Sequence, residues 1–155
     1  LVLARAGIDV TAVEVEQTRL DAGLDNLRKG LEDRVKRGRM SEDDMNAELG
    51  RIKGATSISA LSDADLVIEA ALEDMEIKKA IFSELDKVCP AHTILTTNTS
   101  SLDIDDIAAA TSRPDKVAGA HFFAPAQVMK LLEIVRGAKS SPLPSQYGCS
   151  GRPSK

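Results

Sequence analysis

The stretch LTTNTSSLDIDDIAAATSRPDKVAGAHFFAPAQVMKLLEIV, residues 95–135, holds three short apolar runs, with Ser100, His121 and Glu133 at or just past their ends. In an open α/β sheet, ligands sit outside the carboxyl ends of the strands. Ile94 and Leu95 lead from apolar, partly β-branched residues into the polar cluster Thr96 to Ser101, which reads as a strand running into a loop. Asp103, Asp105 and Asp106 crowd the start of the next periodic run, where acidic residues suit the positive end of a helix dipole. Val117 to Phe123 reads as a buried strand stopped by Pro125, and Leu131 to Val135 as another, stopped by Gly137. Glu133 is the anomaly, because a carboxylate inside an apolar strand is costly to bury without a partner.

His121 is the candidate partner; the other histidine, His92, lies in a Pro-Ala-His turn expected to be solvated. A carboxylate bonded to one ring nitrogen fixes the tautomer and raises the basicity of the other, which makes a general base near neutral pH. On spacing alone, a satisfied core pair or an edge residue is the more frequent outcome.

Outward from this stretch, 155 residues suffice for one core, and 43% apolar residues, 28% charged residues and a net charge of −4 describe an ordinary acidic globular domain. Arg34, Lys36, Arg37 and Arg39 form the only dense basic group and aromatics amount to 3%, so neither a nucleic-acid face nor a stacking platform is expected. No apolar run has the length of a membrane span, and no signal peptide opens the chain. Cys89 and Cys149 have neither metal-ligand spacing nor a disulfide framework, which suits a reducing compartment.

Leu1 to Ala6 reads as the second half of an amphipathic helix, with Gly7 as its C′ residue. Ile8 to Val13 is a strand with Glu14 at its carboxyl end. An acidic residue there accepts hydrogen bonds from an adenine ribose and repels a 2′-phosphate, favouring NAD over NADP; a solvated strand-end glutamate is the alternative. No G-x-G-x-x-G occurs among the ten glycines. Leu20, Leu24, Leu27, Leu31 and Val35 place one long helix from Glu16 to about Arg37. Ser41, with Asp44 three residues on and Met40 and Met45 as a hydrophobic staple, starts a second helix reaching about Ile52. Thr56 to Ser59 is expected to be a short strand. Ala64 to Ala71 is the next strand and loop, and Ile77, Ile81, Leu85 and Val88 mark a helix with Lys78 in its first turns. Ala70 and Ala71 would let backbone approach a cofactor, or simply pack helix on sheet.

The segments DADLVIEAALEDMEIKKAIFSELD, TNTSSLDI and AHFFAPAQVMKLLEIVRG closely resemble the NAD-binding domain of the 3-hydroxyacyl-CoA dehydrogenases, particularly the bifunctional enoyl-CoA hydratase/3-hydroxyacyl-CoA dehydrogenases of fatty-acid β-oxidation. The resemblance covers about Leu1 to Lys139. It implies a Rossmann-type, doubly wound, mainly parallel α/β sheet, here without its first strand and glycine loop and with a helical hairpin inserted. It implies that His121 is the catalytic base, Glu133 its partner, and Ser100 a contact to substrate and cofactor. Cofactor contacts fall on Glu14, Ala70, Ala71, Leu72, Glu73 and Lys78. The substrate-contacting position three after the histidine is Ala124, which offers no polar group where relatives have asparagine or serine.

The implied reaction oxidises an L-3-hydroxyacyl-CoA to the 3-ketoacyl-CoA with NAD, in a parent protein that forms a homodimer or joins a β-oxidation complex with a thiolase. Its compartment would be the bacterial cytoplasm, or the peroxisome or mitochondrion of a eukaryote. The family's helical C-terminal domain has no counterpart here, and residues 140–155, SSPLPSQYGCSGRPSK, show no apolar periodicity and are expected to be a disordered, unrelated tail. Residues 1–139 are thus expected to be a partial domain, close to inactive alone. The alternatives are a non-catalytic NAD-binding module, a chain that folds poorly, and a relative of the β-hydroxyacid dehydrogenases, which generally use lysine in place of the histidine.

Overall fold

The computed structural model describes residues 1–126, 128–129 and 131–141. A short helix α1 (Val2–Arg5) ends at Gly7, whose φ of +87° needs a residue without a side chain. Strand β1 (Val10–Val13) follows, then the long helix α2 (Gln17–Lys36) and α3 (Glu42–Gly50). The Ser41 hydroxyl accepts the Asp44 amide at 3.0 Å, so the expected N-cap forms.

Strand β2 is Ile52–Ala55, pairing in parallel with β1, and Ile58–Leu61 is a 3-10 turn capped by Ser57. The expected strand at Thr56 to Ser59 is therefore displaced. Helix α3 stops at Gly50, and Gly54, which argues against a strand by composition, serves this one. A Cβ at Gly54 would lie 3.0 Å from Leu24 and 3.1 Å from Leu20, so α2 packs directly on bare strand backbone.

The second half supplies β3 (Leu66–Glu69), α4 (Met75–Val88), β4 (Ile94–Thr97), α5 (Ile104–Ala108), β5 (Val117–Phe122) and β6 (Leu132–Arg136). Strands β3, β4 and β5 are parallel and β6 closes the edge antiparallel, in the order β3-β4-β5-β6. Strands β1 and β2 form a separate parallel pair, so the architecture is Rossmann-like with its sheet in two pieces among the described residues. The core, Val67, Phe82, Leu85, Leu95, Ile107 and Val117 among others, lies between the four-stranded sheet and helices α4 and α5.

Two further readings change. Leu131 to Val135 is no buried strand: β6 is an exposed edge, and the Glu133 side chain keeps 57% of its surface in solvent. A short apolar run does not distinguish an edge from a centre. Second, Ser140 and Ser141 belong to the folded unit: the Ser140 hydroxyl donates to the Val117 carbonyl at 2.5 Å, and the Ser141 amide bonds Asp115 at 2.9 Å. The rest of the expected tail, residues 142–155, lies outside the described residues. Among those described, no helix is long and apolar enough to cross a membrane.

Candidate functional site

The carboxyl ends of β1, β3, β4 and β5 carry Glu14, Ala70, Ser100 and His121 respectively, at the strand ends or in the loops that follow. His121 and Glu133 face each other directly across the β5–β6 ladder, with Nδ1 3.4 Å from the nearer carboxylate oxygen. Opposed residues of an antiparallel pair share one face, which brings together side chains twelve positions apart. A carboxylate only accepts, so Nδ1 donates and Nε2 keeps its lone pair for a substrate proton. The Phe123 ring lies against the imidazole, centroids 4.9 Å apart, and limits its rotation.

Glu73 follows β3 and reaches the β4–α5 loop. It accepts the Thr99 hydroxyl, the Ser100 amide at 3.1 Å and the Ser101 hydroxyl at 3.4 Å. The Thr99 bond does most to hold its carboxyl below the usual range; partial burial opposes this, and the Ser100 amide and Lys78 add to it. Ala70, Ala71 and Leu72 are exposed, Leu72 by 72%. Glu14 accepts the Glu16 amide at 3.3 Å at the end of β1. Ala124 is exposed beside the β5–β6 connection.

Lys78, expected at the cofactor, is buried beneath the edge. Its side chain is 1% exposed, with Nζ 2.9 Å from both oxygens of Glu69 and 3.6 Å from Glu73. Sequence reading passed over Glu69, Thr97 and Asn98. The Thr97 hydroxyl donates to Glu69 at 2.6 Å, and the Asn98 side-chain oxygen accepts the Phe122 amide at 2.8 Å, tying the end of β4 to β5 next to His121. Glu69 had a visible signal: it is a carboxylate in the apolar run LVIEAA, the same anomaly that singles out Glu133.

The edge is an open shelf. A cavity of about 460 Å³ lies instead against α2 and α3, lined by Leu24, Leu27, Arg28, Leu49 and Ile52, and contains none of these groups. Among the described residues, no cluster of His, Cys, Asp and Glu could hold a metal ion.

The family model described as 3-hydroxyacyl-CoA dehydrogenase, NAD binding domain, matches residues 1–144. The chain belongs to this family. The domain's cofactor is therefore NAD. Among similar proteins, the peroxisomal bifunctional enzyme of Danio rerio is 50% identical over 139 residues, covering 90% of this chain and 19% of the relative. The 3-hydroxyadipyl-CoA dehydrogenase of Escherichia coli is 46% identical over 136 residues, covering 88% of this chain and 29% of the relative. The crystal structure of 3-hydroxybutyryl-CoA dehydrogenase from Escherichia coli superposes with a TM-score of 0.88 at 45% identity, covering 90% of this chain and 30% of that one. The chain thus spans under a third of the length of these relatives.

The residues on the edge suit the two ends of the cofactor of this family. Glu14 offers a half-buried carboxylate at the end of β1, and small residues with the exposed Leu72 leave an apolar surface beside β3. The sequence contains no G-x-G-x-x-G for the pyrophosphate.

Proposed function

We propose that this domain supplies the general base and the cofactor face for NAD-dependent oxidation of an L-3-hydroxyacyl-CoA to the 3-ketoacyl-CoA. The observation that carries the reading is the in-register His121–Glu133 pair. NAD, when bound, would supply the acceptor for the hydride, the proton with both electrons of the C3–H bond. His121 takes the C3 hydroxyl proton on Nε2, and Glu133 holds the ring and stabilises the imidazolium that results. Ser100 orients the substrate oxygen; Glu14, Ala70, Ala71, Leu72 and Glu73 line the cofactor. Base assistance of this kind is worth about a hundred- to ten-thousand-fold in rate, and much of the rest comes from positioning. Ala124 gives the substrate a wall without a hydrogen bond. A homodimer, or a complex with a thiolase, is the assembly in which the reading places the intact protein.

The test is kinetic, in an intact protein carrying this domain. His121→Ala and Glu133→Gln should each lower kcat by about a hundredfold or more while the dissociation constant for NAD stays within a factor of two or so. Retention of most of the turnover by His121→Ala would remove the base from the mechanism.

A further inference from the structure

Lys78 is among the largest fully buried side chains of the described residues. Helix α4 presents it on the same face as Phe82 and Leu85, in the stripe that packs on the sheet. Burying an ammonium costs several kcal/mol even when it is paired, and well-packed apolar residues of similar volume generally serve stability as well. Its surroundings give the charge a use. Two carboxylates flank it: Glu69, which also accepts the Ala71 amide at 2.5 Å and the Thr97 hydroxyl at 2.6 Å, and Glu73, which continues to Thr99, Ser100 and Ser101. The contacts run unbroken from β3 through α4 to the loop that carries Ser100.

We infer that Glu69 and Lys78 are positioning residues that hold Glu73 as a latch on the Ser100 loop, Lys78 acting through Glu73. Both Glu69 oxygens already face the Lys78 ammonium, and the Thr97 hydroxyl and Ala71 amide complete their coordination. Glu73 is the half-exposed member, its side chain 41% accessible, and water competes for it. The charge 3.6 Å behind favours the ionised carboxylate, the form that accepts all three donors of the loop. The charged groups facing Glu73 are Lys78 from α4 and, behind it, Glu69 from β3; the β4–α5 loop contributes only the uncharged Thr99, Ser100 and Ser101.

The catalytic meaning of this latch rests on the proposed function, but the latch can be tested without any ligand. In NMR spectra of the 155-residue chain, the Ser100 and Ser101 amides should shift with a midpoint below the ordinary glutamate value of about 4.3, and the Lys78 ammonium signal should shift at the same pH. Glu73→Gln should abolish that midpoint in the loop amides. The neutral pair Glu69→Gln with Lys78→Met should raise it towards the ordinary value and speed exchange of the Ser100 amide. A wild-type midpoint and exchange rate in the double variant would overturn the inference. So would a wild-type Lys78 signal indifferent to Glu73, a measurement that needs no variant to fold. Titration with NAD is a separate arm: loop amides that ignore NAD would count against the proposed function and leave the latch standing.

Discussion

Glu69 and Glu133 are the same side chain set into apolar strands of one sheet, and their surroundings make them different groups. Glu69 is buried against an ammonium and two further donors; Glu133 lies on the edge strand with a histidine as its partner and water around it. Removing one member of a buried ion pair leaves the other charge stranded, at a cost of about 3–5 kcal/mol. Lys78→Ala should therefore lower the free energy of urea unfolding by about that amount, and joining Lys78→Met to Glu69→Gln should recover most of the loss. Glu73 adds a pH dependence. Its carboxyl is held below the unfolded value, chiefly by the Thr99 hydroxyl, so its contribution is present above that value and is lost as pH falls through the folded one. Denaturation measured from pH 5 down to 3 should show Glu73→Gln with the shallower fall, and an unchanged slope would mean that the carboxylate is not held.

At the scale of elements, Arg113 finishes helix α4 from outside. Its guanidinium bonds Asp86 at 2.6 Å and donates to the backbone carbonyl of Asp86 in the last turn, which the helix end leaves without a partner, and to those of Cys89 and Pro90 just past it. Burial pushes the Asp86 carboxyl up, but hydrogen bonds from Ser112 and the Arg113 charge outweigh it and hold the group low. Arg113→Ala should cost about 3 kcal/mol or more in chemical denaturation, and Asp86→Asn should remove part of the stability that the wild type loses as pH drops below about 4.

Much at this scale was legible beforehand: the stripe of four leucines and a valine on α2, the Ser41 cap, and the loop after β4 follow from spacing and local chemistry. Strand β2 was not, since Gly54 is chosen by the helix lying on it. The exposure of β6 was not, since nothing inside five residues says what lies beyond them. The His121–Glu133 pair was legible only as two candidates; the antiparallel register that joins them is a property of the sheet. Lys78 sat in plain view at helical spacing from Phe82 and Leu85, and its charge concealed that it belongs to the core.

For the whole molecule, the division into a four-stranded sheet and the β1–β2 pair sets a hierarchy of opening. Every residue of β1 is only half-buried, whereas three of four in β4 are buried. Amides of Val10–Val13 should lose protection in native-state hydrogen exchange before those of Leu95–Thr97; equal protection would show one cooperative unit. The glycine turn that normally cradles a pyrophosphate is absent from the sequence. The 155-residue chain by itself should accordingly produce no steady NADH signal with a hydroxyacyl-CoA and NAD, and sustained turnover would contradict the part given to phosphate binding.

The turn after β6 has a geometric result for anything joined beyond it. Ser140 and Ser141 are stitched to Val117 and Asp115, at the start of β5, while His121 and Phe122 stand at its finish. A probe placed at Ser141 itself therefore sits at the blunt rear of the sheet, about 13 Å of strand away from the imidazole and clear of the shelf.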